Sequence, residues 1–172
     1  QTLLDMYSIL KTQGTLDNLN IFMVGDLKYG RTVHSLLMAM SEFENPVFNF
    51  IAPTVLEMPD EYKILLREKG IKYYEHKEFT DIVSAADIIY MTRVQKERFS
   101  DPIEYEQVKN VYILRNAMLE NTKPTVKVLH PLPRVNEIHT DVDSNEKAYY
   151  FEQARNGVYT REAIISHIMN LK

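Results

Sequence analysis

Residues 21 to 33 read Ile21-Phe22-Met23-Val24-Gly25-Asp26-Leu27-Lys28-Tyr29-Gly30-Arg31-Thr32-Val33, and the hydrophobic period changes inside this stretch. Its first four residues are apolar without interruption, the pattern of a strand covered on both faces. A turn bracketed by Gly25 and Gly30 follows. Val33, Leu36, Leu37 and Met40 then recur at i, i+3, i+4 and i+7, which is one face of a helix. Strand, glycine turn and helix in that order form the repeating unit of an open parallel sheet.

Working outward, the chain repeats this unit. Residues 2 to 12 read as a helix with Leu3, Leu4, Tyr7 and Leu10 on its apolar face, closed by Gly14. A second strand covers 47 to 51. Pro59 suits the first turn of the next helix and Gly70 its exit, with Asp60 and Glu61 complementing the positive end of the helix dipole. A third strand is placed at 71 to 74, a short helix at about 80 to 85 and a fourth strand at 87 to 91. The polar stretch from 92 to 102 reads as a long loop. Beyond it the pattern gives a helix at about 103 to 109, a fifth strand at 126 to 129, and two helices at roughly 146 to 155 and 160 to 170 separated by Asn156-Gly157. This alternation predicts an α/β fold: a single domain over 1 to 172 with a doubly wound, five-stranded, mostly parallel sheet, helices on both faces and Rossmann-like topology.

Composition narrows the function. At 172 residues, 45% hydrophobic and with a mean hydropathy of -0.30, the chain is long enough to bury a core. No apolar run reaches the roughly 18 residues of a membrane span, and no segment reads as a signal peptide. A net charge of -4 without a basic block argues against nucleic acid. The absence of cysteine removes thiolate chemistry and fits a reducing, cytoplasmic setting. No i, i+4 pair occurs among the five histidines, so no metal site is expected. Nothing calls for a cofactor. The first residue is Gln1, without an initiator methionine, which reads as a piece of something longer.

Three segments just past apolar runs carry the chemistry: Gly25 to Thr32, Met91-Thr-Arg-Val-Gln-Lys-Glu-Arg98, and His130-Pro-Leu-Pro-Arg134. Ligands of open parallel sheets sit beyond the carboxyl ends of the strands, so these segments are expected to line one pocket. The first is a near miss for a phosphate-binding loop, with Gly25 and Gly30 correctly spaced but Arg31 where lysine belongs. A planar guanidinium is a poor substitute for a compact ammonium, yet it is a good bidentate clamp for a carboxylate. In the second segment, Arg93 and Gln95 add another cation and a neutral donor, with Glu97 as a possible counter-charge. Together with Arg31 they form a set suited to a dicarboxylate. In the third segment two prolines fix the backbone on either side of Leu132, aiming turn carbonyls in one direction. Taken singly, a charged loop is more often solvated and Pro-Leu-Pro more often a rigid strand exit. His130 is expected to bond locally rather than catalyse.

In this order the three motifs resemble the aspartate-binding half of an aspartate carbamoyltransferase catalytic chain, over Gln1 to about Leu171. The resemblance implies transfer of a carbamoyl group from carbamoyl phosphate to L-aspartate in pyrimidine (UMP) biosynthesis. It implies aspartate binding by Arg31, Thr32, Arg93 and Gln95, with Arg31 on the α-carboxylate and Arg93 with Gln95 on the β-carboxylate. It puts Gln1, the Leu132 carbonyl and Pro133 at the carbamoyl end. Lys96, Glu104 and Tyr105 would belong to a closing loop that communicates with Lys28 and Tyr29, although the Arg98 to Glu104 spacing is one residue longer than usual. Partners implied are L-aspartate, carbamoyl phosphate, the N-terminal carbamoyl-phosphate half of the same chain and a homotrimer of catalytic chains, with regulatory chains left open. The segment alone is expected to be inactive. Two rivals remain: an ornithine carbamoyltransferase, whose cationic substrate a second arginine would repel, and a non-catalytic carboxylate-binding module.

Overall fold

The computed structural model describes residues 1–79 and 81–170. Five strands form one parallel sheet: β1 (Asn20–Val24), β2 (Val47–Ile51), β3 (Lys72–His76), β4 (Ile88–Met91) and β5 (Lys127–Leu129), in the order β3-β2-β1-β4-β5. Its centre is β1, which pairs in parallel with β2 from Asn20↔Val47 to Val24↔Ile51 and with β4 from Ile21↔Ile88 to Val24↔Met91. Chain order runs outward from β1 to one edge and then restarts at β4 on the other side. The crossovers therefore diverge between β1 and β4 and leave a crevice at their carboxyl ends.

Two apolar layers hold the sheet. On one face Ile21, Met23 and Tyr90 pack with Leu36, Leu37 and Met40 of α2 (Arg31–Met40) and with Ile9 of α1 (Thr2–Gln13). On the other, Phe22, Val24 and Ile89 pack against Val83, Leu119, Ile138 and Val142, which lie on short 3-10 turns and loops. Both faces of β1 and β4 are thus dry, which is why their sequences do not alternate. At the sheet edge β3 is largely exposed and runs Lys72–His76, a shift toward the carboxyl side of the predicted 71 to 74. The expected short helix at 80 to 85 is a 3-10 segment over Asp81–Ala85, and Thr80 lies outside the described residues. Helices α3 (Asp60–Glu68) and α4 (Pro102–Val108) fall close to their predicted places, with Gly70 leaving α3 in the left-handed region at φ 67°.

Two readings are corrected. The C-terminal pair of helices is one continuous helix, α5 (Tyr150–Ile168). Asn156-Gly157 is not a turn but the contact between α5 and α1. Asn156 is buried and donates its side-chain amide to Ser8 Oγ at 3.0 Å, and a Cβ on Gly157 would lie 2.6 Å from Nη1 of the flexible Arg161 side chain on its own helix and 3.2 Å from Leu4 Cδ2 on α1. Glycine is there for the close approach of two helices. The buried face of α1 is also not the apolar stripe: Leu4, Asp5, Ser8 and Ile9 are inside, whereas Leu3, Tyr7 and Leu10 are exposed. Partners reverse the hydropathy argument, since Asp5 and Ser8 are hydrogen-bonded on all sides and so can be buried.

Candidate active site

The turn after β1 is set by two close approaches. Gly25 sits at φ 109°, and a Cβ there would fall 2.5 Å from the Thr92 carbonyl oxygen; one on Gly30 would fall 2.5 Å from the Asp26 carbonyl oxygen. Between them Asp26 is buried. Its backbone N–H donates to Thr92 Oγ1 at 2.7 Å and its carboxylate accepts from Tyr29 N at 2.9 Å, tying this turn to the end of β4. Burial raises the Asp26 carboxyl above the usual aspartate value, against the Tyr29 N–H and the charge of Arg98, which lower it. Helix α2 begins at Arg31, so that side chain starts at the positive end of the helix.

After β4, Arg98 bridges the two turns. Its guanidinium donates to the Tyr29 carbonyl and, through Nε, to Gln95 Oε1 at 2.6 Å, and it lies 6.0 Å from the Tyr29 ring centroid. Gln95 is thereby turned with its oxygen toward Arg98, and its NH2 makes no hydrogen bond among the described residues. Among the described residues the side chains of Arg31 and Arg93 make no hydrogen bond or ion pair with the protein. Glu97 pairs with neither arginine, so the expected counter-charge is absent from this conformation among the described residues.

After β5 the turn is locked by a buried pair. His130 is 2% exposed, and its Nε2 donates to Glu137 Oε1 at 2.7 Å. This leaves Nδ1 to accept the Leu132 N–H at 2.8 Å. The second carboxylate oxygen of Glu137 accepts from Val135 N and Asn136 N, each at 3.1 Å. Burial would raise the Glu137 carboxyl, but the hydrogen bond from His130 and the backbone donors outweigh it and hold it below the usual glutamate value. Leu132 stands in the left-handed region at φ 47°, uncommon for a residue with a Cβ, and precedes a cis peptide to Pro133. His130 thus bonds locally, as expected. Arg134 turns away to ion-pair with Asp143 and lies over the Tyr150 ring.

The three turns meet around a cleft of about 300 Å³ lined by Gln1, Asp26, Gly30, Arg31, Thr32, Thr92, Arg93, Gln95, Arg98, His130, Pro131, Leu132 and Pro133. All seven residues expected to contact the two substrates are in this lining. The three expected in a closing loop are not. Lys96 and Tyr105 line an adjacent groove with Glu97, Glu104 is exposed on the first turn of α4, and Tyr29 faces Arg98 rather than Glu104 or Tyr105. Three cleft residues, Asp26, Thr92 and Arg98, were given no role by the sequence reading. They matter through partners distant along the chain, Asp26 with Thr92 and Arg98 with Tyr29, which no local pattern reports.

Fold and cleft define the class: a Rossmann-like domain with a cleft at the switch point of its parallel sheet, where the guanidiniums of Arg31 and Arg93 have no hydrogen bond or ion pair among the described residues. The family model for the aspartate/ornithine carbamoyltransferase Asp/Orn binding domain matches residues 17–168. The chain belongs to that family. It is 69% identical over 172 residues to the aspartate carbamoyltransferase catalytic subunit of Bacteroides thetaiotaomicron, covering 99% of this chain and 55% of that protein. Against the corresponding subunit of Vibrio cholerae it is 55% identical over 170 residues, with coverages of 99% and 55%. Among solved structures it is similar to the catalytic subunit of M. jannaschii aspartate transcarbamoylase, with TM-score 0.93 and 44% identity over 99% of this chain and 56% of that one. It is also similar to the Trypanosoma cruzi enzyme in complex with carbamoyl phosphate and aspartate, with TM-score 0.88 and 34% identity over 95% and 54%. The chain spans about half the length of the curated relatives it matches.

Proposed function

We propose that residues 1 to 172 are the aspartate-binding half of an aspartate carbamoyltransferase catalytic chain. In the complete chain the amine of L-aspartate attacks the carbonyl carbon of carbamoyl phosphate. The new C–N bond forms, the C–O bond to phosphate breaks, the amine loses a proton, and N-carbamoyl-L-aspartate and phosphate leave, a step of pyrimidine biosynthesis. The observation that carries the reading is the pair of guanidiniums, Arg31 and Arg93, that have no hydrogen bond or ion pair among the described residues and share one cleft with the amide of Gln95. An arginine takes a carboxylate bidentately, so two of them suit a substrate with two carboxylates.

In this reading Arg31 and Thr32 hold the α-carboxylate end, and Arg93 with Gln95 holds the β-carboxylate. The carbonyl of Leu132, with Pro133 and Gln1, accepts from the carbamoyl NH2, since carbonyl oxygens are the acceptors an amide donor needs. No covalent intermediate on the protein is required. Rate comes from aligning two substrates and stabilising charge on the tetrahedral intermediate, which positioning alone can favour by an effective molarity of about 10⁵ M. Lys96, Glu104 and Tyr105 would move toward the cleft as the loop closes.

Carbamoyl phosphate would be gripped by the N-terminal half of the catalytic chain, so the segment alone is expected to be inactive. The resemblance extends the proposal to a homotrimer of catalytic chains in the cytoplasm, a setting that suits a chain without cysteine. Ornithine is disfavoured because Arg93 would face its ammonium group. The test is steady-state kinetics of the full parent chain: Arg93→Ala should raise the KM for aspartate by roughly 10- to 100-fold, the loss of one charge-assisted bidentate contact. An unchanged aspartate KM would contradict the clamp.

A further inference from the structure

Asp5 is fully buried on α1, away from every motif that led to the cleft. Its Oδ1 accepts the Gln1 Nε2 at 2.8 Å and the Gln153 Nε2 at 2.6 Å, and its Oδ2 accepts the Tyr90 hydroxyl at 2.8 Å. Gln153 in turn receives the His130 backbone N–H on its own Oε1 at 2.8 Å. One carboxylate therefore sits behind two separate walls of the cleft, Gln1 and the turn that starts at His130.

The chemistry of these groups makes the arrangement directional. A glutamine amide has a donating and an accepting end, and its neighbours decide which faces where. An ionised carboxylate only accepts, so both glutamines must turn their NH2 toward Asp5 and their oxygens away. For Gln153 the oxygen then meets the His130 N–H. The Gln1 side-chain oxygen accepts no hydrogen bond among the described residues, and Gln1 lines the cleft.

We propose that Asp5 is a positioning residue for the carbamoyl end of the site, fixing the Gln1 carbonyl as an acceptor in the cleft and anchoring the His130 turn through Gln153. The inference rests on the carbamoyl-transfer reading, because the ligand so recognised is a primary amide, the NH2 of a carbamoyl group. Removing the carboxylate lets the Gln1 amide turn over and present a donor to a donor. Burial raises the Asp5 carboxyl, while Gln153, Tyr90 and Gln1 act against that rise. The three donors are what keep a buried aspartate available as an acceptor.

The test is kinetics of Asp5→Leu, close to aspartate in shape but without an acceptor, in the full parent chain. The KM for carbamoyl phosphate should rise roughly tenfold, the usual consequence of a lost or reversed hydrogen bond in a site, while the KM for aspartate at saturating carbamoyl phosphate stays near wild type. A variant with reduced thermal stability and both KM values unchanged would overturn the proposal, because a purely structural role predicts that result. Equal rises in both would overturn it too. Should Asp5→Leu not fold, Gln153→Met breaks only the arm to His130 and leaves Asp5 with Gln1 and Tyr90; a selective rise in the carbamoyl phosphate KM supports the proposal, and no change overturns it. Absence of turnover by the wild-type parent would overturn the transferase reading together with this inference, whereas wild-type turnover with an indifferent variant overturns the inference alone.

Discussion

Glu137→Ala removes the acceptor that holds the turn after β5. Three donors lose their partner: His130 Nε2, Val135 N and Asn136 N. Val135 and Asn136 are exposed residues, so their N–H groups can turn to water; the His130 ring is 2% exposed and is left buried without an acceptor. An orphaned buried donor costs about 2 kcal/mol, and the lost packing of the glutamate stem about 1 kcal/mol more. For a domain of this size 1 kcal/mol corresponds to roughly 2 to 4 °C, so the melting temperature should fall by about 6 to 12 °C at neutral pH. The effect should depend on acidity. Because the folded-state carboxyl lies below its ordinary value of 4.5, its contribution to stability is complete above that value and is lost as the pH falls through the folded-state value. The gap between variant and wild type should therefore narrow below about pH 4.5. Differential scanning calorimetry of the full parent chain at neutral and acid pH reads both. A drop smaller than about 2 °C at neutral pH, or a gap that widens in acid, would refute the role given to the buried pair.

Other expectations follow from the cleft and the helix contact. Gly25→Ala puts a methyl group 2.5 Å from the Thr92 carbonyl at a φ of 109°, so it should cost about 3 kcal/mol or more and yield little folded protein on size-exclusion chromatography. Arg98→Met removes the guanidinium that donates to both the Tyr29 carbonyl and Gln95 Oε1, and should raise the aspartate KM by roughly tenfold with little change in secondary structure by circular dichroism. Gly157→Leu drives a side chain into Leu4 of α1 and should lower stability by about 1 to 3 kcal/mol in denaturant titration.

Where side chains answer to their immediate neighbours in sequence, the chain is easy to read. The unbroken apolar runs of β1 and β4 announce strands buried on both faces, and the spacing of Val33, Leu36, Leu37 and Met40 announces α2. The three motif turns meet in one cleft because a parallel sheet delivers the carboxyl ends of its strands to the same edge. Legibility fails where a distant partner decides. Leu3 and Tyr7 look like core and are exposed, while Asp5 is buried because Gln153 and Tyr90 come to meet it. Gly157 looks like a helix stop and is a spacer between helices. Asp26 and Arg98 received no role because their work is to join the turns after β1 and β4.

The two arginines suit the cleft to a dicarboxylate amino acid as the carbamoyl acceptor. This match is tested most directly by supplying the full parent chain with carbamoyl phosphate and either L-aspartate or L-ornithine and measuring the carbamoylated product. Carbamoyl aspartate formed in preference to citrulline by a factor of at least about 10³, the exclusion expected when a cationic side chain is forced against a guanidinium, is the result this account requires. Comparable turnover of ornithine, or none of aspartate, would contradict it.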